Sequence, residues 1–174
     1  MLFLRLLLAL FVVSLPPLME ATLGEYGNSF NYKKIKWHPV RYLDHDNDIG
    51  FKAIVPAHGL VAKKKEGDVF VFGQANNVAY EVHCSEKGRF EPPASSDDFI
   101  KKVEKVFKKD ADVILLPGTM KNVHYIADIA YKKGHKRVRI YCSKNQLYWA
   151  IIQPLDGKEP EHAEFFFDSI EIMH

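Results

Sequence analysis

Hydrophobic and polar positions along the chain predict a domain built mainly from strands. Residues 36–43 and 49–55 have strand composition and flank the polar cluster 44–48, so together they predict a hairpin. Residues 69–72 are apolar on both faces, which is typical of a central strand, and 78–85 follow after a short polar turn. This pair predicts a second hairpin in the middle of the sheet.

One segment, 96–109, has clear helical periodicity. Its apolar stripe consists of Phe99, Ile100, Val103, Val106 and Phe107, and lysines occupy most of the other positions. Ser95 and Asp98 have the spacing of a capping box, with Asp in place of the usual Glu or Gln. The sequence therefore predicts a helix that begins near Ser96.

The last third of the chain again alternates like a sheet. Residues 113–116 predict a buried strand, and 137–142 with 146–153 predict a hairpin. Residues 122–131 fit both a strand and a helix, and we predict a strand. A proline then opens a short helix across 161–167.

This order of elements predicts an α+β fold, an antiparallel sheet with helices packed on it. Residues 22–34 show no periodicity and are rich in Gly, Asn and Ser, which predicts a flexible leader. The remaining 35–174 are of a size for a single domain.

The N-terminus has the pattern of an export signal. Arg5 precedes an apolar run, 6–15, which ends at Pro16 and Pro17, and small residues follow near Ala21. The run is shorter than the roughly 20 residues that a membrane-spanning helix needs. We therefore expect a signal peptide over 1–21 and a periplasmic or secreted protein, while an uncleaved signal that holds the protein at the membrane remains the alternative.

Net charge argues against one class of partner. The chain has 24 Lys and Arg against 22 Asp and Glu, and without residues 1–21 the counts are 23 and 21, so the net charge stays +2. Nucleic-acid binding depends on a larger excess of basic residues, because affinity comes from neutralising many phosphates. We expect no nucleic-acid partner.

Several stretches resemble a known group. They are residues 50–56 with Phe51 and Pro56, the alternating stretch from Tyr125 to Tyr131, the strand around Arg137 and Arg139, and the closing 166–170. Across most of 49–170 the chain resembles the PsbP and DcrB-like group of small exported proteins. The resemblance implies an α-β-α sandwich without catalytic residues that serves binding or assembly in a cell envelope or thylakoid lumen.

The two cysteines, Cys84 and Cys142, acquire a meaning from the predicted export. Strand alternation directs both thiols toward apolar layers. An oxidising compartment could join them, and the loop of nearly sixty residues would then stabilise the fold by about 4 kcal/mol. Two buried free thiols are the alternative.

Motifs for metals and catalysis are missing. Asp44, Asp46 and Asp48 alternate as in a calcium loop, but Ile49 and Val55 stand where an EF-hand needs Gly and Glu. The eight histidines lack zinc-site spacing, and we expect each to be an ordinary surface or interface residue. The chain has no Gly-x-Ser-x-Gly motif and no phosphate-binding loop. We therefore assign no catalytic, cofactor or metal residue.

The most concentrated basic segment is the candidate for binding. Lys132 and Lys133 precede a strand on which Arg137, Arg139 and Tyr141 share one face. Such a cationic and aromatic stripe could contact an anionic envelope or host component or a protein, although most charged runs are only solvated faces.

These observations favour an exported, non-catalytic binding or assembly module of the cell envelope or extracellular space. A secreted enzyme of an unrecognised type and an adaptor held at the membrane by its N-terminus are the alternatives.

Overall fold

The computed structural model describes residues 21–25, 27, 29–44, 49–56, 60–63, 69–86, 88, 90–107, 111–117, 120–143, 146–158 and 160–173. Residues 1–20, which include most of the predicted export signal, and residues 45–48 of the polar cluster lie outside this set. The fold described below therefore does not test those two predictions.

The described chain contains twelve strands and two helices. The strands are β1 (Ala21–Glu25), β2 (Phe30–Tyr32), β3 (Ile35–Asp44), β4 (Ile49–Pro56), β5 (Leu60–Lys63), β6 (Val69–Ala75), β7 (Val78–Cys84), β8 (Ala111–Leu115), β9 (Tyr125–Tyr131), β10 (Arg137–Cys142), β11 (Leu147–Pro154) and β12 (Glu171–Met173). The helices are α1 (Ser96–Phe107) and α2 (Ala163–Asp168).

The strands form two antiparallel sheets. The first has five strands in the order β1-β3-β4-β12, with β2 also paired to β3. The second has seven strands in the order β5-β6-β7-β11-β10-β9-β8. The predicted hairpins β3–β4, β6–β7 and β10–β11 are all present, and the ambiguous segment forms strand β9.

The α+β class is confirmed, with the chain arranged in three layers. Helix α1 packs on one face of the seven-stranded sheet, over β8 and β9. The five-stranded sheet and α2 lie on its other face, where the Trp37 ring meets that of Tyr80 at a centroid distance of 5.5 Å. The ring of Phe166 on α2 reaches Tyr80 at 5.2 Å, so both sheets and α2 share one hydrophobic core.

Helix α1 begins as its sequence predicts. The backbone N–H of Asp98 donates to Ser95 Oγ at 3.2 Å, and the Asp98 carboxylate accepts from the Ala94 N–H at 2.9 Å. This second bond, together with Lys102 at 3.1 Å, holds the pKa of Asp98 below its ordinary value. The cap therefore satisfies backbone donors that a helix start leaves without intrahelical partners.

The prediction of a flexible leader over 22–34 is wrong. Strand β1 pairs with residues 40–44 of β3, and β2 pairs with residues 35–37 of the same strand. Both strands therefore belong to the five-stranded sheet. Pairing of this kind uses backbone groups, so it does not require the side-chain periodicity that the segment lacks.

Two further predictions about strand position are corrected. Strand β8 is not a buried strand: it is the last strand of its sheet, and Ile114 and Leu115 are exposed. Strands β6 and β7 are also off-centre, since β11 is the middle strand of the seven. Apolar composition alone does not distinguish an edge strand from a central one, because sheet order is set by long-range pairing.

Candidate functional site

Two residues of the predicted basic patch, Arg139 and Tyr141, lie inside the protein. Arg139 on β10 and Asp128 on β9 are cross-strand partners, and the guanidinium binds the carboxylate through two bonds, Nε to Oδ1 at 2.6 Å and Nη2 to Oδ2 at 3.0 Å. Arg139 is only 8% exposed. This is the bidentate geometry in which Arg binds a carboxylate most strongly.

Helix α2 adds two more carboxylates to this pair. Arg139 donates to Glu164 at 2.9 Å and to Asp168 at 3.2 Å. Arg137 binds the other oxygen of Glu164 at 2.6 Å and also reaches Asp128 at 3.3 Å. We call these five residues, Asp128, Arg137, Arg139, Glu164 and Asp168, the arginine cluster.

The charges of the cluster shift the pKa values of its members. Burial acts to lower the pKa of Arg139, but the hydrogen bond and charge of Asp128 outweigh it and raise that pKa. Burial acts to raise the pKa of Glu164, but Arg137 and Arg139 hold it below its ordinary value. Both guanidinium groups also lie over the ring of Phe167, at 4.6 Å from Arg139 and 5.2 Å from Arg137.

The cluster holds α2 on the sheet and does not form an open binding surface. Tyr141 is buried, which raises the pKa of its hydroxyl, and that hydroxyl donates to the Phe167 carbonyl at 3.0 Å. Lys132 and Lys133 are exposed, and Lys132 pairs with Asp112 at 3.4 Å. The predicted patch is therefore divided between an ion-pair cluster centred on the buried Arg139 and a separate exposed turn.

The other side of α2 presents an aromatic residue to the five-stranded sheet. Phe165 stacks on Tyr32 at a centroid distance of 4.5 Å, with 20° between the ring planes. Its edge also meets Trp37 at 4.9 Å and Phe30 at 6.2 Å. Trp37 is fully buried, whereas Phe30 and Tyr32 are 38% and 36% exposed. A core aromatic group thus continues outward to the protein surface.

This surface ends at the turn between β2 and β3. Lys33 and Lys34 form the turn with φ values of 44° and 67°, a left-handed conformation that Asn and Gly adopt more readily. The Lys33 ammonium lies 5.8 Å from the Tyr32 ring, and Lys36 is exposed on β3. We define the hairpin surface as Phe30, Tyr32, Lys33, Lys34, Lys36 and Phe165.

The segment of chain that carries most of the hairpin surface has basic residues and no acidic ones. Residues 26–43 contain Lys33, Lys34, Lys36 and Arg41 and no Asp or Glu. Glu161, beside His162, is an exposed acid near this surface, since the His162 ring meets Tyr32 at 5.8 Å. Sequence reasoning missed this surface because the segment lacked periodicity, although two aromatic residues followed by three lysines, with no acid among them, were a visible signal.

A second group of aromatic residues lies on the other face of the seven-stranded sheet, the face that α1 covers. His83 on β7 is stacked between Phe70 and Trp149, at centroid distances of 5.4 and 5.1 Å, and its Nε2 lies 2.6 Å from a Glu81 oxygen. The stacked rings turn their faces toward each other and leave the imidazole 2% exposed. A substrate would reach this imidazole only after one of the rings moved.

The sequence predicts that the histidines are surface or interface residues, but three of those described lie inside the protein. His38, His83 and His162 are buried. Within the described ranges no group of three or more His, Cys, Asp or Glu side chains is placed to hold a metal ion. None of the helices described is both long and apolar enough to cross a membrane.

Cys84 and Cys142 are buried and are not joined by a disulfide, which agrees with the second of the two alternatives that the sequence left open. Cys84 lies opposite Tyr148 on β11, whereas Cys142 lies opposite Leu147. Because neighbouring residues of a strand point to opposite faces, the two thiols lie on opposite faces of the sheet and about 10 Å apart in backbone position. Burial raises the pKa of Cys142 to about 12.

One cavity of about 390 Å³ adjoins the arginine cluster, lined by Arg137, Pro160, Glu161, Ala163 and Glu164. Its two most strongly paired charges, Arg137 and Glu164, already bind each other at 2.6 Å. Two of its three charged lining residues are therefore already engaged with each other.

Comparison with protein-family models, with curated proteins and with solved structures found no match to this chain. The resemblance to the PsbP and DcrB-like group stays a prediction.

Proposed function

We propose that this protein is an exported, non-catalytic binding module that docks through the hairpin surface onto an anionic component of the cell envelope or extracellular space. Two exposed aromatic residues, Phe30 and Tyr32, next to the turn lysines Lys33 and Lys34, are the observation that carries the proposal. Large exposed aromatic groups on a soluble domain are typical of interaction sites. The lysines add an attraction for negatively charged partners.

The export part of the proposal has its support in the sequence. Arg5, the apolar run 6–15 and the small residues near Ala21 have the order of a signal peptide. An uncleaved segment would instead hold the domain at the membrane, and the hairpin surface would then act close to the lipid headgroups. Both forms place the domain on the same side of the membrane.

The non-catalytic part rests on how the reactive side chains are engaged. The guanidinium of Arg139 is bound by three carboxylates, and the imidazole of His83 is enclosed by two rings. The Cys142 thiol is buried, and its raised pKa keeps it in the unreactive protonated form. These groups stabilise the fold in the arrangement described.

Co-sedimentation with isolated envelope membranes tests the proposal. The full chain is compared with the variant Lys33→Glu, Lys34→Glu, Lys36→Glu and with the matched control Lys101→Glu, Lys105→Glu, Lys121→Glu. The control changes the net charge equally at exposed positions outside the hairpin surface. We expect the first variant to lose most of its membrane-bound fraction and the control to keep it.

Equal sedimentation of the two variants would overturn the proposal. Near-ultraviolet circular dichroism of both variants verifies that they are folded. Chemical conversion of a membrane component by the wild-type chain, lost on substitution of a polar residue, would instead establish a secreted enzyme.

A further inference from the structure

We infer that the anionic component is the lipid headgroup surface of a membrane, an inference that rests on the proposed function and specifies its partner. The hairpin surface would lie against the headgroups, with the rings of Phe30 and Tyr32 entering the interface and the lysines contacting the lipid phosphates.

The aromatic side chains have the properties that the membrane interface favours. Tyr32 combines an apolar ring with a polar hydroxyl, and such side chains concentrate at headgroup depth. Phe30 supplies an apolar ring that is 38% exposed, and Phe165 supports both rings from below at 6.2 and 4.5 Å. The two rings are therefore held at the surface by the core and need no rearrangement to meet a membrane.

The charges complement an anionic bilayer. Lys33 and Lys34 are exposed at the turn next to the rings, and Lys36, the cross-strand partner of Asn31, is exposed on the other face of the hairpin from Phe30 and Tyr32. All three lie within a stretch of 18 residues, 26–43, that has no acidic side chain. A lysine near an anionic membrane surface raises the partition coefficient about fivefold, so three lysines raise it on the order of 100-fold. A charge effect of this size is large enough to measure directly.

The type of cation favours a lipid surface over an acidic protein. An ammonium group is a compact point charge with freely rotating donors, whereas Arg has the planar geometry that fixes a single carboxylate or phosphate. All three cations of the hairpin surface are lysines, while the chain uses Arg137 and Arg139 where it binds defined carboxylates. Lysine side chains do not impose a fixed binding geometry, and this suits the mobile headgroups of a fluid membrane.

The turn gives a second indication. Lys33 and Lys34 both adopt positive φ, a conformation that is unfavourable for residues with a long side chain. The other tight hairpin turn of this kind, between β6 and β7, uses Asn76 and Asn77, which tolerate that conformation. The β2–β3 turn thus holds two positive charges at its tip despite an unfavourable backbone conformation.

A fluorescent label at the hairpin tests the inference. Asn31 is exposed on the other face of β2 from Phe30 and Tyr32. Asn31→Cys can be labelled in the full chain with a polarity-sensitive maleimide dye, because Cys84 and Cys142 are each 1% exposed. The label is titrated with vesicles of phosphatidylcholine alone and with vesicles that also contain phosphatidylglycerol. It reports on the hairpin itself, whatever the N-terminal apolar segment does.

We expect a blue shift with the phosphatidylglycerol vesicles and little change with phosphatidylcholine. Lys33→Glu, Lys34→Glu, Lys36→Glu should weaken the binding at least 100-fold, and Phe30→Ala should weaken it severalfold without a change of charge. The control Lys101→Glu, Lys105→Glu, Lys121→Glu should bind as the parent does.

An equal response to both kinds of vesicle, or a response that the hairpin substitutions do not alter, overturns the lipid inference. No response to vesicles together with hairpin-dependent sedimentation on envelope membranes also overturns it, but leaves the proposed function standing with a protein or glycan as partner. Sedimentation that is independent of the hairpin overturns both.

Discussion

Arg139 and Asp128 face each other across β10 and β9 and share two hydrogen bonds, of 2.6 and 3.0 Å. This pair is the centre of the arginine cluster, which binds Glu164 and Asp168 and thereby fixes α2 on the seven-stranded sheet. Because α2 also carries Phe165, the buried ion pair determines where the aromatic support of the hairpin surface lies. Helix α2 therefore connects the arginine cluster, which binds one of its sides, to the proposed docking surface, which includes Phe165 on its other side.

Removing the charge of Arg139 should strongly destabilise the fold. Arg139→Met keeps much of the side-chain volume but leaves Asp128 partly buried without its bidentate partner, so we expect a loss of about 3 kcal/mol in the free energy of unfolding. Urea denaturation measures it. Arg137→Met is the matched control, since Arg137 is more exposed, and should cost about 1 kcal/mol. Equal effects of the two substitutions would contradict a central role for the Arg139 pair.

Acid should weaken the attachment of α2. The folded-state pKa of Glu164 is lowered, so its contribution to stability is complete above the unfolded-state pKa of about 4.3 and is lost as the pH falls through the folded value. We expect the free energy of unfolding to decline below about pH 4 and the decline to be smaller in Glu164→Gln. Denaturation curves at several pH values test this, with Glu86→Gln at an exposed position as the control. Parallel pH profiles for wild type and Glu164→Gln would argue against the cluster.

Local patterns in the sequence predicted the hairpins well. Asn76 and Asn77 between two apolar runs, and the alternation from Arg137 to Cys142, specify pairing between segments that are close in the chain. Helix α1 was predicted from its cap at Ser95 and its apolar stripe. In each case the physical information is contained within about twenty residues.

What covers a strand face could not be predicted in the same way. Alternation correctly placed Arg137, Arg139 and Tyr141 on one face, but only the long-range approach of α2, with Glu164 and Asp168, shows that this face is covered. The same limit applies to β2, which joins the sheet by pairing with β3. The candidate site therefore moved from the predicted patch to a segment that was predicted to be flexible.

Both cysteines should remain free thiols in the native protein. They lie on opposite faces of the seven-stranded sheet, and burial raises the pKa of Cys142 to about 12. We expect no alkylation by iodoacetamide near pH 8 in native conditions, and two alkylated cysteines after denaturation without reductant. Mass spectrometry distinguishes these states. A native mass lower by two hydrogens, with no alkylation after denaturation, would reveal a disulfide and refute this strand arrangement.

Replacing the two lysines of the β2–β3 turn should raise the stability of the fold and weaken membrane binding. The substitutions Lys33→Asn and Lys34→Gly place residues suited to positive φ at both positions, and we expect about 1 kcal/mol of added stability for the pair. The same change removes two charges, so co-sedimentation with envelope membranes should weaken on the order of 25-fold. Asn77→Gly in the β6–β7 turn is the control and should leave sedimentation unchanged. A more stable variant with undiminished sedimentation would show that these lysines do not take part in docking.

Hydrogen–deuterium exchange of the full chain, with and without isolated envelope membranes, tests the docking surface most directly. The account predicts slower exchange on membrane binding in peptides that cover Phe30 to Lys36 and Glu161 to Phe165, and unchanged exchange in helix α1 (Ser96–Phe107). Protection confined to α1 or to the strands around His83 and Trp149, with the hairpin unchanged, would contradict it.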